Sequence, residues 1–343
     1  MAYIVTDGFD LYRELGDLAL RGWGVLPATA GLVPGFYNAG QALRIANLST
    51  AIFARRDFVS TATEIYVAFD VLLDQLPTAA ARLVMLTETA SEHVNVMVNT
   101  NGTLAVRRST TVLATSTATL VANTRYRIEL RALVADTGGV AELRVDGSMV
   151  ATFTGDTRNV GATGAPNRLE LYGMARSDNI GFTHFDNLTI NTTAGAAPTG
   201  YPGSRRIETV YPTSTIANGL TPSDGALSNH QLVGEARLDV AGFVASATPA
   251  ARDEYAMGDI TGTPAAIDAL VLVYHAARSD AGARTVRGNI LSGASETTGA
   301  SISPSVSPSG SYTDLIASTD PNTGAGWTTA AVNAHRVELE IVA

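Results

Sequence analysis

The chain has 343 residues, of which 45% are hydrophobic and 16% charged, and its formal net charge is -9. That length accommodates two domains, each with its own core, while the acidic balance excludes a nucleic-acid partner, which needs a basic stripe to meet phosphate. Cysteine is absent and all 23 basic residues are arginine, so disulfides and thiolate metal sites are excluded as well.

With so few charges, the surface has to be covered by Thr, Ser, Asn and Gly, the habit of β-sandwich proteins. The stretch Met1 to Asp7 lacks the basic start and apolar core of a signal peptide, and no segment approaches the length of a membrane span. Synthesis in a cytoplasm without membrane insertion is the expectation.

In chain order, Asp10 to Gly22 places Leu11, Leu15 and Leu18 at helical spacing and predicts one or two turns against a sheet, weakened by Gly16. Alternation then takes over. In Thr63 to Leu73, Ile65, Val67 and Phe69 fall on one face and Tyr66, Ala68 and Asp70 on the other. Val94 to Val98 and Thr103 to Val106 flank Asn101-Gly102, which predicts a two-residue hairpin with both turn positions at positive φ. Tyr126 to Val134 alternates again, Val140 to Val145 turns at Asp146-Gly147 into Met149 to Phe153, and Leu169, Leu171 and Phe185 with its neighbours complete the set. Strands at this spacing, with no long helices between them, predict an antiparallel sandwich or barrel. Small and turn-forming residues fill Asn191 to Ser204, and a second β-rich block follows. There Asp239 to Ala245 reads as strand and turn, Pro264 to Tyr274 as a central strand, Thr328 as a helix cap and Arg336 to Val342 as a last strand burying Val337, Leu339 and Ile341.

The run Tyr126-Arg-Ile-Glu-Leu-Arg131, Glu142-Leu-Arg-Val-Asp-Gly147, Val150-Ala-Thr-Phe-Thr-Gly155, Leu169-Glu-Leu-Tyr-Gly173 and Phe185-Asp-Asn-Leu-Thr-Ile190 resembles the latter half of a laminin-G-like, concanavalin-A-like jelly roll. In that family a V-D-G hairpin joins an extended strand pair, and a closing strand that begins aromatic-Asp-Asp/Asn pairs with the N-terminal strand. Asp7 to Tyr12 and Gly40 to Ile45 resemble the start of such modules in tailed-phage structural proteins. The second block, with Asp320-Pro-Asn-Thr-Gly-Ala-Gly-Trp327 ahead of Val332-Asn-Ala334, is similar to a carboxy-terminal domain of phage minor structural proteins.

These resemblances imply an all-β chain of two antiparallel β-sandwich, jelly-roll-like domains, 1–192 and 206–343, joined by a short linker, 193–205. They imply a non-enzymatic virion protein of a phage or phage-derived particle, made in the host cytoplasm, that decorates capsid or tail or builds a fibre. Its partners would be other virion proteins and further copies of itself, trimers among the expected homo-oligomers. The alternative is an adhesin whose jelly roll recognises host surface glycan. A polysaccharide-degrading enzyme ranks last, since the paired carboxylates of a retaining glycosidase, a G-x-S-x-G elbow and an H-E-x-x-H pair are all missing. Glu170, Glu338 and Glu340 read as members of solvated outer faces.

Jelly rolls of this type hold Ca²⁺ where opening and closing strands meet, which makes Asp7, Asp10, Asp186 and Asn187 candidate ligands. The plainer reading, preferred here, puts Asp7 in a glycine turn and Asp186 or Asn187 at a strand end. Sugar binding would use aromatic platforms. The candidates are Trp23, Tyr37, Tyr172 and Trp327, against the alternative that these rings belong to the core.

Overall fold

The computed structural model describes residues 3–37, 40–159, 163–194, 199–235, 241–306 and 311–343. They form two compact units, Met1–Asp10 with Glu14–Ile207 and Leu11–Arg13 with Glu208–Ala343. Both are antiparallel β-structure, so the chain is all-β.

The first unit opens with β1 (Tyr3–Asp7), β2 (Trp23–Val25), β3 (Gly31–Pro34), β4 (Gln41–Ala46) and β5 (Phe53–Asp57). Next come β6 (Glu64–Leu73), β7 (Ala81–Glu88), β8 (Ser91–Val98), β9 (Thr103–Arg108) and β10 (Thr111–Thr119). It closes with β11 (Arg125–Leu133), β12 (Gly139–Val145), β13 (Ser148–Gly155), β14 (Arg168–Tyr172) and β15 (Phe182–Thr192). One sheet runs β13-β12-β11-β6-β15-β4-β3, with β1 also paired to β15, and the other runs β10-β9-β8-β7-β14-β5-β2. Ile65, Val67, Phe69, Leu130 and Phe185 of the first sheet and Val84, Leu86, Val94, Val96 and Leu171 of the second are fully buried. Period-two alternation turns these residues inward and leaves a polar row outside on each sheet.

The segment before β2 is a 3-10 helix, Leu15–Arg21, closed by Gly22 at φ +87. Leu18 is its buried anchor, and Asp17 accepts from the Glu14 N–H at 3.0 Å. Of the two hairpin signals, Asp146-Gly147 makes the two-residue turn, with both residues at positive φ and Val145 paired with Ser148. At Asn101-Gly102 only Gly102 has positive φ, and the loop widens to Asn99–Gly102, closed by Gly102 N–H to the Asn99 carbonyl at 2.9 Å. The Asn101 side chain is the reason, because its Oδ1 accepts from Thr103 N–H at 3.1 Å and holds an Asx turn.

β15 gives one edge to β6 along its length and divides the other between β4, opposite Phe182–Phe185, and β1, opposite Leu188–Asn191. The closing and opening strands therefore pair, as the jelly-roll resemblance implied. Between the two partners the register against β6 slips, and Asn187 takes φ +51. Here Arg127, Asp70 and Asp186 stand in one row across β11, β6 and β15. Arg127 Nη1 lies 3.5 Å from Asp70 Oδ1 and donates to the Asn187 carbonyl at 2.8 Å. A buried guanidinium is tolerated only when a counter-charge and acceptors replace water.

Part of the stretch expected as linker lies on this row. Tyr201 donates its hydroxyl to Glu142 at 2.8 Å, and Gly203 donates N–H to Glu129 Oε1 at 2.7 Å while its carbonyl accepts from Arg127 Nε at 3.2 Å. Ile207 N–H reaches Asn187 Oδ1 at 2.7 Å. Residues 199–207 are thus a strap over the outer face of the larger sheet.

The second unit has a five-stranded sheet made of β16 (Pro212–Asn218), β19 (Arg252–Met257), β21 (Val286–Ser292), β22 (Ser295–Thr298) and β24 (Arg336–Ile341), in the order β16-β19-β24-β21-β22. β20 (Leu270–Ala276) pairs with β23 (Ser311–Ala317), and β17 (Thr221–Pro222) with β18 (Val244–Ala245). Residues 239 and 240 of the expected Asp239–Ala245 strand lie outside the described residues. Thr328 caps the short helix α1 (Thr329–Asn333), its Oγ1 accepting from Ala331 N–H at 3.1 Å. The core is Ile290, Ala317, Trp327 and Val332, with Leu270, Leu272 and Leu315 packed against it.

Removing the carboxylate of Asp70 leaves Arg127 buried without its charge partner, and Asp70→Ala is expected to cost the first unit about 3–5 kcal/mol. Trp23 and Trp327 are the two tryptophans of the chain, so urea unfolding followed by fluorescence in a Trp327→Phe background reads this unit. A cost below about 1 kcal/mol, the range of an exposed pair, would show that the ion pair does not organise the row.

Candidate functional site

The four candidate calcium ligands are each engaged in separate hydrogen bonds of the fold. Asp7 is buried and spent on the fold, with Oδ1 accepting from Phe9 N–H at 2.9 Å, Oδ2 from Trp23 Nε1 at 3.0 Å, and Arg21 at 3.8 Å. Asp10 Oδ1 accepts from Gln41 N–H at 2.7 Å. Asn187 donates to Asp70 at 3.0 Å and takes Ile207 N–H on its oxygen. Asp186 accepts from Phe36 N–H at 3.1 Å and from Asn187 N–H at 2.7 Å. Among the described residues no group of three or more His, Cys, Asp or Glu is placed to hold a metal ion, and a calcium ion takes six to eight oxygens. This donor set does not fit one.

Asp186 is nonetheless unusual. Burial pushes its carboxyl up, the charges of Asp10 and Asp70 add to the rise, and its two backbone hydrogen bonds offset only part, leaving it at about 7. Asp70, its neighbour in the row, takes the cation Arg127 and the donors Tyr37 Oη at 3.1 Å and Asn187.

Three of the four aromatic candidates are buried, Trp23 and Trp327 in a core and Tyr172 within an outer sheet face, and offer no face to a sugar. Trp23 is 1% exposed and packs on Phe9 with ring centroids 5.7 Å apart. Trp327 is 5% exposed and donates to the Ala317 carbonyl at 2.9 Å. Tyr172 is 3% exposed, tilted on Phe53, with its hydroxyl bonded to Glu170. Large rings bury the most apolar area per residue, and a chain with few of them uses them as anchors. Tyr37 is half-buried, and its ring already carries Arg125 at 4.3 Å and Arg206 at 5.5 Å from the centroid.

A different surface gathers polar side chains with capacity to spare. On the outer face of the seven-stranded sheet, one row crosses six strands: Val112, Arg107, Asn95, Met85, Glu170 and Arg55. Beside it run Met97 and Arg82, then Tyr172 and Phe53. Arg82 bonds Glu92 at 2.7 Å and its guanidinium lies 5.9 Å from the Tyr172 ring centre. Arg55 and Arg168 share Asp57 at 3.2 and 3.0 Å. Burial pushes the Tyr172 phenol up and the Glu170 carboxylate pushes it further, so the hydroxyl stays protonated.

Several buried atoms on this face lack a hydrogen-bond partner, Thr87 Oγ1, Asn95 Oδ1 and Arg107 Nε among them. Asn95 is fully buried and its Nδ2 donates to the Ser109 carbonyl at 2.8 Å, yet its Oδ1 accepts nothing. Arg107 Nε is sealed from solvent without an acceptor. Arg107 also lines a hollow of about 260 Å³, with Arg82, Thr110, Ala51, Ala81 and Gly173. Sequence reasoning missed this surface, because alternation reads Asn95, Arg107 and Glu170 as solvated. Glu338 and Glu340 in the second unit show the same thing, at 6% and 5% exposure beneath Arg252, Arg287 and Asn289.

No protein-family model matches the sequence, and no curated protein matches it. Among solved structures, the chain is similar to a sialidase, with 14% identity and a TM-score of 0.41 over 56% of this chain and 18% of the sialidase. It spans less than a fifth of that protein. It is also similar to the alginate lyase Aly36B, with 13% identity and a TM-score of 0.42 over 55% of this chain and 96% of the lyase. The alginate lyase AlgAT5, from polysaccharide lyase family 7, follows with 11% identity and a TM-score of 0.36 over 55% and 94%. What is shared is a β-sandwich, jelly-roll-like fold. These neighbours are sugar-active proteins and not virion proteins, which overturns the expectation of a non-enzymatic phage structural component and, with it, the expectation that the chain is not an enzyme.

A carboxyl raised from its ordinary 3.8 to about 7 makes the folded state hold a proton that the unfolded chain releases between those values. The sign follows: stability falls as pH rises from about 4 to 7, by roughly a few kcal/mol, and levels off above. Glu88 works in the opposite sense in a lower window. Burial pushes it up, but hydrogen bonds from Thr163 and Gly164 outweigh this and hold it at about 2, so its contribution is lost as pH falls through that value. Asp186→Asn is expected to flatten the slope between pH 4 and 7 in denaturation midpoints. An unchanged slope would take the proton away from Asp186.

Proposed function

We propose that the first unit binds carbohydrate across the outer face of its seven-stranded sheet. The observation that carries this reading is the hollow of about 260 Å³ in that face, with Arg82, Arg107, Ser109 and Thr110 on its wall. A ligand rich in hydroxyls meets such a wall by accepting from guanidinium N–H groups and by donating to hydroxyl oxygens. A sugar does both from adjacent carbons. The hollow is slightly smaller than the ~300–1,000 Å³ of sites that enclose a drug-sized ligand, which suits one residue of a saccharide chain lying along the strand row.

The rings on this face are not stacking platforms. Tyr172 and Phe53 pack on each other and set the positions of Glu170 and Arg82, and recognition rests on hydrogen bonds to fixed polar groups. The same face carries groups able to do chemistry, a protonated phenol bonded to a carboxylate, so turnover is measured alongside binding.

A glycan array followed by calorimetry is expected to find a saccharide ligand for the full chain. Arg107→Ala and Arg82→Ala each remove a bond to the ligand and are expected to weaken binding about tenfold or more, with circular dichroism unchanged. Retained affinity in both variants would move the site off this face. Chain cleavage in a chromatographic assay, abolished by Tyr172→Phe or Glu170→Gln, would make the face an active site as well as a binding site.

A further inference from the structure

Resting on that reading of the seven-stranded face, we infer that the hollow takes an N-acetylated amino sugar, with the acetamido group lying along it. The order of the lining carries this. Ala51, Ala80 and Ala175 come from the segments that lead into β5 and β7 and out of β14, at one end of the strands, where Gly173 adds no side chain. Ser109 and Thr110 come from the β9–β10 turn at the other end, and Asn95 holds that turn over the sheet by donating to the Ser109 carbonyl at 2.8 Å. Between them stand Arg82, opposite Met97 on β8, and Arg107, opposite Asn95 two residues away on the same strand. Methyl groups, guanidinium groups and hydroxyls therefore follow one another through the hollow.

Each step of that order selects a part of the ligand. A sugar hydroxyl finds no partner at the alanine end, where an unpaired polar group is unfavourable, whereas a methyl group gains by leaving water there. A methyl group alone, as on a deoxy sugar, leaves the guanidinium N–H groups beside it without an acceptor. Arg82 bonds Glu92 at 2.7 Å, and Arg107 has no ion pair among the described residues, so with five N–H donors apiece both have bonds to give. The carbonyl oxygen of an acyl group, next to its methyl, takes them.

The far end decides between an ester and an amide. Beyond the carbonyl an amide has an N–H group, which the hydroxyl oxygens of Ser109 and Thr110 can accept, while an ester has only another acceptor. An acetamido group thus presents methyl, acceptor and donor in the order in which the hollow presents alanines, arginines and hydroxyls. A carboxylate answers the arginines alone and sets a charge against the alanine end, where its desolvation is costly.

The test is calorimetry with saturation-transfer NMR on the full chain, using oligomers of N-acetylglucosamine and of N-acetylgalactosamine, each beside the glucose or galactose oligomer of the same length and linkage. Fucose oligomers, with a methyl and no amide, and galacturonate oligomers, with a carboxylate, complete the set. At least one acetylated series is expected to bind about tenfold or more tighter than its hydroxyl counterpart, from one buried methyl group and one paired amide, with the acetyl protons receiving the strongest saturation. Ala51 and Ala80 are exposed, and Ala51→Leu with Ala80→Leu fills the alanine end and should bring the acetylated sugar down to the level of its counterpart. Should that double variant fail to fold, the comparison of each acetylated series with its counterpart still decides the matter in the unaltered protein. A preference kept in the folded double variant puts the acetyl group elsewhere and overturns the inference. Equal affinity within both pairs, or tighter binding of fucose or galacturonate oligomers than of any acetylated sugar, overturns the acetamido class and leaves the carbohydrate reading standing. Absence of binding to every sugar overturns both.

Discussion

The buried contact between Arg127 and Asp70 sits where β15 changes partners, and the first unit is organised around it. A strand whose one edge must serve β4 and then β1 cannot keep one register, so the chain inserts Asn187 at positive φ. The slip frees a carbonyl and an amide inside the protein. Arg127 takes the carbonyl, the Asn187 side chain bonds Asp70 and Ile207, and the ion pair supplies the charge balance that lets all of them stay dry. Asp186, one step along the row, is left without a cation, and its raised pKa is the residue of that arrangement.

The strap follows from the same constraint. An outer sheet face carrying Arg127, Glu129, Arg131 and Glu142 would be solvated in most sandwiches, but here Arg127 and Glu129 are 5% and 1% exposed. Tyr201 and Gly203 provide the cover, and they do so with donors and acceptors matched to the charges below. Arg144 lies 3.7 Å over the Tyr201 ring and Tyr66 meets its edge, so the segment is held by ring and charge contacts as well as by its backbone. A stretch whose composition reads as a tether thus acts as a structural element of the sandwich.

How much of this was legible in the sequence depends on which physical rule was in play. Alternation located the strands because it reports the inner face directly, and Asp146-Gly147 marked its turn because the Asp146 side chain takes the Arg127 N–H of the neighbouring strand and leaves the turn's own amides alone. At Asn101 a side-chain hydrogen bond competed and won. The outer faces were illegible for a related reason. Hydropathy assigns arginine and glutamate to water, whereas these sheets bury them in pairs, as Glu338 and Glu340 do beneath Arg252 and Arg287. Pairing across strands depends on register, and register is not written in one strand's composition. The candidate site escaped for the same reason, since Arg82 and Arg107 lie on β7 and β9 and come to one hollow only through their pairing with β8.

The two outer faces of the sandwich then differ in how they treat what is left over. Beneath the strap, Arg127 Nη2, Glu129 Oε2 and Thr189 Oγ1 also lack partners, but donors and acceptors are mixed there within one covered patch, a composition that ordered water satisfies by accepting from one group and donating to the next. On the seven-stranded face the leftover is a guanidinium on the wall of a hollow and an amide oxygen beside it, with small residues lining the space. Gly173 is one of these, and a Cβ there would come within 2.1 Å of the Ala46 carbonyl oxygen, so glycine is required by the close approach of the β4 backbone. Stability alone gives no reason to leave a cation uncompensated in a protein that carries excess acid elsewhere. Placing that cation on the wall of a hollow, on a face whose other arginines are paired among the described residues, is an arrangement that a ligand completes and the fold by itself does not.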